Sequence, residues 1–455
     1  MATTTTHGVT TSAGAPVGES QQTRLERITR KNFGKLMPLL VIVYIISFID
    51  RTNIGMAKES MEADIGLSAA AYGLGAGLFF VMYAGLEIPS NLIMNKVGAR
   101  FWIARIMLTW GILAMLMAVV WNEASFYVMR ILLGAAEAGL YPGMILYISH
   151  WFAEKDRARA TGIFLLGVSL ANVIGAPLAG LILNMDGTLG LYGWQWMFIL
   201  EGAPAALICF YIWFHMPNGP QDAKWMTEDD KAFLIEYLEK EDAGEKAEHS
   251  DLRALKPVLK DPQIWLVVAI YFTHQIAVYS LSYFMPSMIK SYNPGITTLT
   301  LGLITALPWA AAAVGSVVLP KFAVGITRAK AFVSGGLVLV AGGLLIARLS
   351  GSMWMAVAGF AIGALMLFVI QSVLFTFPAN RLTGAAAASG IAFVNMFGLI
   401  GGFLGPTLCG KLETATGDPL SGLWMMIGLA AVGACLAWAL KYKKAEEAVG
   451  AVPVS

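Results

Sequence analysis

Four charged side chains stand where charge is expensive. Asp50, Arg51, Arg130 and Glu137 fall inside long apolar stretches. Each costs about 2.5–3.5 kcal/mol at the centre of a membrane-crossing helix, so four unpaired charges would cost roughly 10–14 kcal/mol. Arg130 offers a planar fork of donors that can grip a carboxylate at two points. Glu137 follows seven residues later, two helical turns along the same face. A carboxylate held in apolar surroundings can carry a proton near neutral pH. Asp50, beside Arg51, can form a switchable ion pair, and Arg51 can serve binding or structure. The competing reading of all four is a permanent salt-bridge staple between two helices.

Weaker polar candidates sit at comparable depths. Tyr83 and Glu87 are four residues apart, and His274 and Gln275 are adjacent. Asn172, Gln371, Ser372, Thr376 and Asn395 complete the set. For each, an ordinary interhelical packing bond is the alternative. Phe48, Tyr83, Tyr271, His274 and Trp309 could supply an aromatic wall. The three cysteines, Cys209, Cys409 and Cys435, lie in apolar runs without metal-ligand spacing, and the five histidines form no cluster. Neither a metal nor a cofactor is expected. The proton is the expected coupling ion.

Composition says what must position these residues. The 455 residues are 57% hydrophobic and 13% charged, against about 25% charged in soluble domains. Such a chain needs lipid as its solvent. The net charge of +2 gives no reason to expect a nucleic acid partner. Twelve apolar segments of spanning length are expected at 36–57, 72–94, 101–121, 126–151, 158–183 and 193–216, then at 261–290, 299–322, 329–349, 354–377, 384–412 and 422–440. The fold class is therefore all-α membrane protein, twelve helices in two six-helix halves, 36–216 and 261–440. A disordered tail is expected over 1–35, a linker over 217–260 and a second tail over 441–455.

Lys and Arg crowd alternate loops, as at Arg24, Arg27, Arg30, Lys31 and Lys35, at Lys96 and Arg100, and at Lys155, Arg157 and Arg159. Both ends and the linker should then be cytoplasmic. At 1.5 Å per residue, Asp50 lies about 22 Å in from Lys35, while Arg130 and Glu137 lie about 8 and 18 Å in from the opposite side. Gly-Ala-Pro-Leu-Ala-Gly at 175–180 echoes Gly-Pro-Thr-Leu-Cys-Gly at 405–410, and Val97-Gly98 echoes Val324-Gly325 at nearly the same offset. Duplicated halves suit alternating access to a site held between them.

These motifs carry a resemblance. Phe-Ile-Asp-Arg-Thr-Asn-Ile-Gly at 48–55, Tyr-Gly-Leu-Gly-Ala-Gly at 72–77, Glu-Ile-Pro-Ser-Asn-Leu at 87–92, Val-Gly-Ala-Arg at 97–100 and the stretch from Arg130 to Pro142 resemble the anion:cation symporter family within the major facilitator superfamily. The resemblance is dense in the first six spans and looser beyond. It implies secondary transport of a small organic carboxylate with protons, in the inner (plasma) membrane, by a monomer and not an enzyme. It implies Asp50 and Glu137 as protonation sites and Arg130 as anion binder, with Tyr83 and Asn395 facing substrate. Arg51, His274 and Gln275 join the binding set from the reading of the residues themselves. The loop between spans 2 and 3 departs from the superfamily pattern, reading Asn95-Lys96-Val97-Gly98 where an acid is usual. The aromatics lean toward an aromatic acid such as phthalate or hydroxyphenylacetate, with a hydroxy acid such as tartrate close behind. An anion exchanger or facilitator without proton coupling is the alternative.

Overall fold

The computed structural model of the protein describes residues 20–246, 255–323, 325–382 and 384–441. It is helical throughout, because in lipid every backbone donor and acceptor must be satisfied within the segment. The first half runs α1 (Gln21–Ile65), α2 (Ala69–Val97), α3 (Ala99–Leu116), α4 (Glu123–Glu137), α5 (Leu140–Ser149), α6 (Glu154–Leu183) and α7 (Gly193–His215). Two linker helices follow, α8 (Glu228–Lys246) and α9 (Leu255–Lys260). The second half is α10 (Pro262–Tyr292), α11 (Thr298–Val318), α12 (Ile326–Leu349), α13 (Met353–Leu374), α14 (Thr376–Arg381), α15 (Gly384–Thr416) and α16 (Ser421–Ala437). Among the described residues eleven helical segments are long and apolar enough to span, with α4–α5 and α13–α14 each counted as one. The twelfth, α16, has 17 residues, or about 26 Å, the short end of what a bilayer core needs.

Three expectations are corrected. The N-terminal tail is not irregular up to residue 35: α1 begins at Gln21, capped by Ser20, and buries Leu25 and Ile28. Residues 1–19 and 442–455 lie outside the described residues. Span 1 does not end at residue 57 but continues to Ile65, so Lys58, Glu59, Glu62 and Asp64 are helical rather than loop residues. Span 4 is not continuous; it breaks between α4 and α5.

The internal repeat is visible in backbone geometry. Gly98, between spans 2 and 3, has φ 91° and ψ 150°, and Gly325, between spans 8 and 9, has φ 89° and ψ 152°. Only glycine adopts that conformation without strain. Val324 itself lies outside the described residues. The other repeated motif does equivalent work in each half. Gly180 of α6 packs on the backbone of Thr298 in α11, and Gly410 of α15 packs on the backbone of Ala69 in α2. Missing side chains let the helices of opposite halves touch.

The linker is fixed beneath the first half. Asp230 accepts from Arg24 Nε at 3.0 Å and from Arg27 Nη1 at 2.9 Å. Trp225 donates to Asn32 Oδ1 at 3.0 Å and stacks on Trp151. In the second half, Lys441 N donates to Gln263 Oε1 at the start of α10. Both described ends and the linker therefore share one face, the tail face; the opposite one is the far face. The hydrogen bond from Arg27, then that from Arg24, holds the Asp230 carboxyl below its ordinary value. A carboxyl depressed in the folded state stabilises above its unfolded pKa of about 3.9, and that contribution is lost as pH falls through the lower folded value. Protection of the α8 amides, relative to their intrinsic exchange rate at each pH, should thus be unchanged between pH 5 and 8, fall below about pH 4, and fall at neutral pH in Arg27→Ala. Equal exchange in wild type and variant at pH 7 would show that the linker is held by other contacts.

Candidate functional site

One helix supplies most of the site. Successive residues of α1 point about 100° apart, so Asp50 and Arg51 face different neighbours although adjacent in sequence. Ser47 and Arg51, one turn apart, both reach Glu137 at the end of α4: Ser47 Oγ donates to Glu137 Oε1 at 2.7 Å, and Arg51 Nη2 forms an ion pair with the same oxygen. The Arg51 guanidinium lies among three rings, Phe48, Tyr83 and Phe79, each about 5 Å away. A delocalised cation tolerates that setting better than an ammonium would.

Asp50 and Asn53, three residues apart, face the other way. Trp110 Nε1 of α3 donates to Asp50 Oδ2 at 2.8 Å, and Asn53 Nδ2 donates to Glu201 Oε1 of α7. The ion pair expected between Asp50 and Arg51 is therefore not made. Helix geometry sends Asp50 behind α1, while Arg51 turns toward α4.

Arg130 and Glu137 share a face of α4, as the seven-residue spacing predicts, but have different partners. Arg130 donates from Nε to Gly75 O at 3.3 Å and from Nη2 to Ala76 O at 3.4 Å, both in α2, and covers the Phe79 ring at 4.9 Å. It is 1% exposed, yet among the described residues no carboxylate lies within ion-pair distance of it. Two long bonds to carbonyls leave most of its charge uncompensated.

The site sits where its helix stops. Glu137 is the last residue of α4; Ala138 leaves the helical region, and Gly139 takes φ 89°. A β-carbon at Gly139 would meet the Ser90 side chain of α2. The left-handed conformation costs a non-glycine residue about 1–2 kcal/mol, so two constraints demand glycine here. Broken helices line substrate sites in many transporters, since they free backbone groups at mid-depth.

The second-half candidates lie apart from this cluster. One nitrogen of His274, Nε2, bonds Leu367 O of α13 at 3.0 Å, and Nδ1 has no partner. Gln275 lies against Gly398 and Gly401 of α15, with Oε1 unpartnered. Asn395 is half-buried and makes no side-chain hydrogen bond among the described residues. From the second half, the Tyr279 ring packs 4.4 Å from Phe80 of α2, next to Phe79 in sequence.

Residues missed by the sequence reading close the far face. Lys58, 1% exposed, pairs with Glu413 of α15 at 2.7 Å and with Glu62 at 3.1 Å. Glu59 pairs with Lys290 of α10. The Lys58–Glu413 and Glu59–Lys290 pairs join the two halves. With Gly73 and Gly77 of α2 packed against Pro406 and Phe403 of α15, they gather the contacts between halves toward the far face. Lys58 lies just beyond the expected end of span 1 at residue 57, in a helix that continues to Ile65. Glu201 escaped notice although it is a lone acid in the apolar segment 193–216, the same signal that drew attention to Glu137.

Removing one partner of a buried ion pair costs about 3–5 kcal/mol, whereas replacing both is often nearly neutral. Arg51→Met and Glu137→Gln should each lower thermal stability in detergent, and the double variant should recover most of the loss. Additive losses would mean that the two do not act as a pair. Gly139→Ala should destabilise by at least about 1–2 kcal/mol, read as a lower unfolding temperature; an unchanged value would mean that the break moves at no cost.

Comparison with known proteins agrees with this architecture. The family described as Major Facilitator Superfamily matches residues 40–406. A protein of Agrobacterium vitis named "Putative tartrate transporter" is 39% identical, over 90% of each chain. The inner membrane transport protein RhmT of Escherichia coli is 38% identical over 92% of this chain and 96% of its own. A quinolone resistance transporter of Acinetobacter baumannii is 37% identical over 86% and 90%. Among solved structures, a bacterial homologue of the human lysosomal transporter Spinster superposes with a TM-score of 0.73 at 18% identity, covering 90% of this chain and 98% of that one, which speaks to fold. With its two repeated six-helix halves, its buried charges and this match, the chain belongs to the Major Facilitator Superfamily and is a multi-pass membrane protein, a secondary transporter and not an enzyme.

Proposed function

We propose that the protein moves a small organic carboxylate across the inner membrane together with protons, by alternating access. One observation carries the reading: Arg130 is a fully buried guanidinium with, among the described residues, no carboxylate within ion-pair distance. A cation in that position is stabilised by an anion arriving from outside the protein, and its planar fork suits a carboxylate.

Glu137 and Arg51 supply the coupling. While Glu137 is ionised, its Oε1 holds Arg51. A proton taken up by Glu137 cancels that attraction, and Arg51 becomes free to join Arg130 on the substrate carboxylate. Loss of the substrate lets Arg51 return, which expels the proton. Tyr83, one face of the ring cluster around Arg51, lies where it can meet the substrate. Asp50, His274, Gln275 and Asn395 are assigned here to proton coupling (Asp50) and to substrate contact after the halves close. The far-face pairs Lys58–Glu413 and Glu59–Lys290 must break for the opposite side to open. The basic residues on the tail face support a cytoplasmic orientation for it.

Two substrate classes have support. Phe48, Phe79 and Tyr83 around Arg51 would stack on an aromatic acid. The name of the Agrobacterium vitis relative points to tartrate. The test is proton flux in liposomes while phthalate, 4-hydroxyphenylacetate, L-tartrate and an uncharged sugar are added in turn. One acid should drive proton uptake in the wild type, and both Arg130→Ala and Glu137→Gln should reduce it by a factor of about 10² or more, the size expected when a charged hydrogen bond of about 3 kcal/mol is lost. Substrate movement without protons, undiminished in Glu137→Gln, would make the protein an exchanger or facilitator and Glu137 a staple.

A further inference from the structure

A third buried acid remains outside this scheme. Glu201 of α7 is 4% exposed and lies in a span, yet among the described residues no cation lies within ion-pair distance of it. Its Oε1 accepts from the neutral amide of Asn53, and its Oε2 has no partner. The helices are locked around it: Gly202, the next residue, packs on the backbone of Gly111 in α3, and Trp110 of the same turn holds Asp50. The charged group near enough to bear on Glu201 is Asp50, which in turn is reached by Glu137, Arg130 and Arg51.

Asn53 has a second surroundings. It lines a small cavity between the halves with Thr52, Asn172, Ser282 and Thr305, drawn from α1, α6, α10 and α11. The cavity leaves about 10 Å³ for the centre of a water-sized sphere, roughly the room a single water needs. Five of its nine lining residues are polar, and the buried Thr305 hydroxyl has no partner among the described residues, so the cavity can hold a water as a dry apolar void could not. It lies on the far-face side, sealed by the contacts of Gly180 with Thr298 and of Gly302 with Ala176. Those contacts join opposite halves, so separation of the halves on that side would expose the cavity.

From this geometry we infer that Glu201, with Asn53, is a second proton-loading site, served from the far face through the polar cavity and separate from Glu137. Glu137 gains a proton only by giving up an ion pair. Glu201 breaks none: an O–H bond forms at Oε2 with a proton relayed from far-face solvent by way of the cavity that Asn53 lines, the same route returns it, and the bond from Asn53 to Oε1 persists. In function the site rests on the proton-coupled reading, as an acid loaded from the far face beside Glu137 and Asp50. Its existence can be tested without substrate.

The measurement is infrared absorption of the full-length protein in detergent, titrated with pH in H₂O and D₂O. A protonated carboxyl should give a C=O band that disappears at high pH, shifts in D₂O, is absent from Glu201→Gln and is retained by Glu137→Gln. Asn53→Ala should move the band to higher frequency through loss of the bond to Oε1, which keeps the test open if Glu201→Gln does not fold. Identical titrating bands in wild type and Glu201→Gln, or no shift in Asn53→Ala, would overturn the proposal. No substrate is present, so this failure is distinct from failure of the coupling reading. A titrating Glu201 band in a protein that moves its carboxylate without protons would refute coupling and leave the site standing.

Discussion

Charge without water is the constraint on which this structure depends. An ionised side chain inside a bilayer keeps its charge only if another group compensates it, and the chain resolves that demand differently at each acid and base. Glu137 has a guanidinium and a hydroxyl. Asp50 and Glu201 have one neutral donor each. Arg130 has backbone carbonyls and a ring. The gradation from full to partial compensation separates a staple from a site that can exchange a proton or accept an anion. Lys58 marks the fully paired end, since two carboxylates enclose it.

A single helix distributes these arrangements because of its pitch. Ser47 and Arg51 lie on one stripe of α1 and meet α4. Asp50 and Asn53 lie on another and meet α3 and α7. Farther along, Lys58 and Glu59 meet α15 and α10 of the other half. Between Ser47 and Glu59, α1 touches Glu137, the other buried acids and the far-face closure. A movement of α1 relative to α4 or α10 would change all three together, which is how a local protonation could reach a contact between halves.

Glycine sets how closely the halves approach. Gly73, Gly77, Gly180, Gly302 and Gly410 place backbone against backbone across the interface. Such surfaces carry little side-chain interlock and can part and re-form as rigid bodies. The ion pairs beside them are directional and hold one arrangement. The division is physical: packing without interlock permits motion, and charge pairs choose its end states.

The sequence by itself determined the class of solvent, the number of spans, the two halves and the cost of the charges within them, because hydropathy and charge are properties of residues one at a time. It therefore exposed Asp50, Arg51, Arg130 and Glu137, and the spacing put Arg130 and Glu137 on one face of α4. Glu201 was equally legible, as an acid within an apolar segment. Partner choice was not legible. Whether Arg51 meets Asp50 or Glu137 depends on the rotation of α1 against α3 and α4, and that rotation is set by packing of the whole half. The break after Glu137 likewise required the close approach of Ser90 to Gly139, a contact between helices that residue spacing does not encode. Tertiary structure decided which buried charges are paired and which are not, because compensation is a relation between helices and not a property of any one of them.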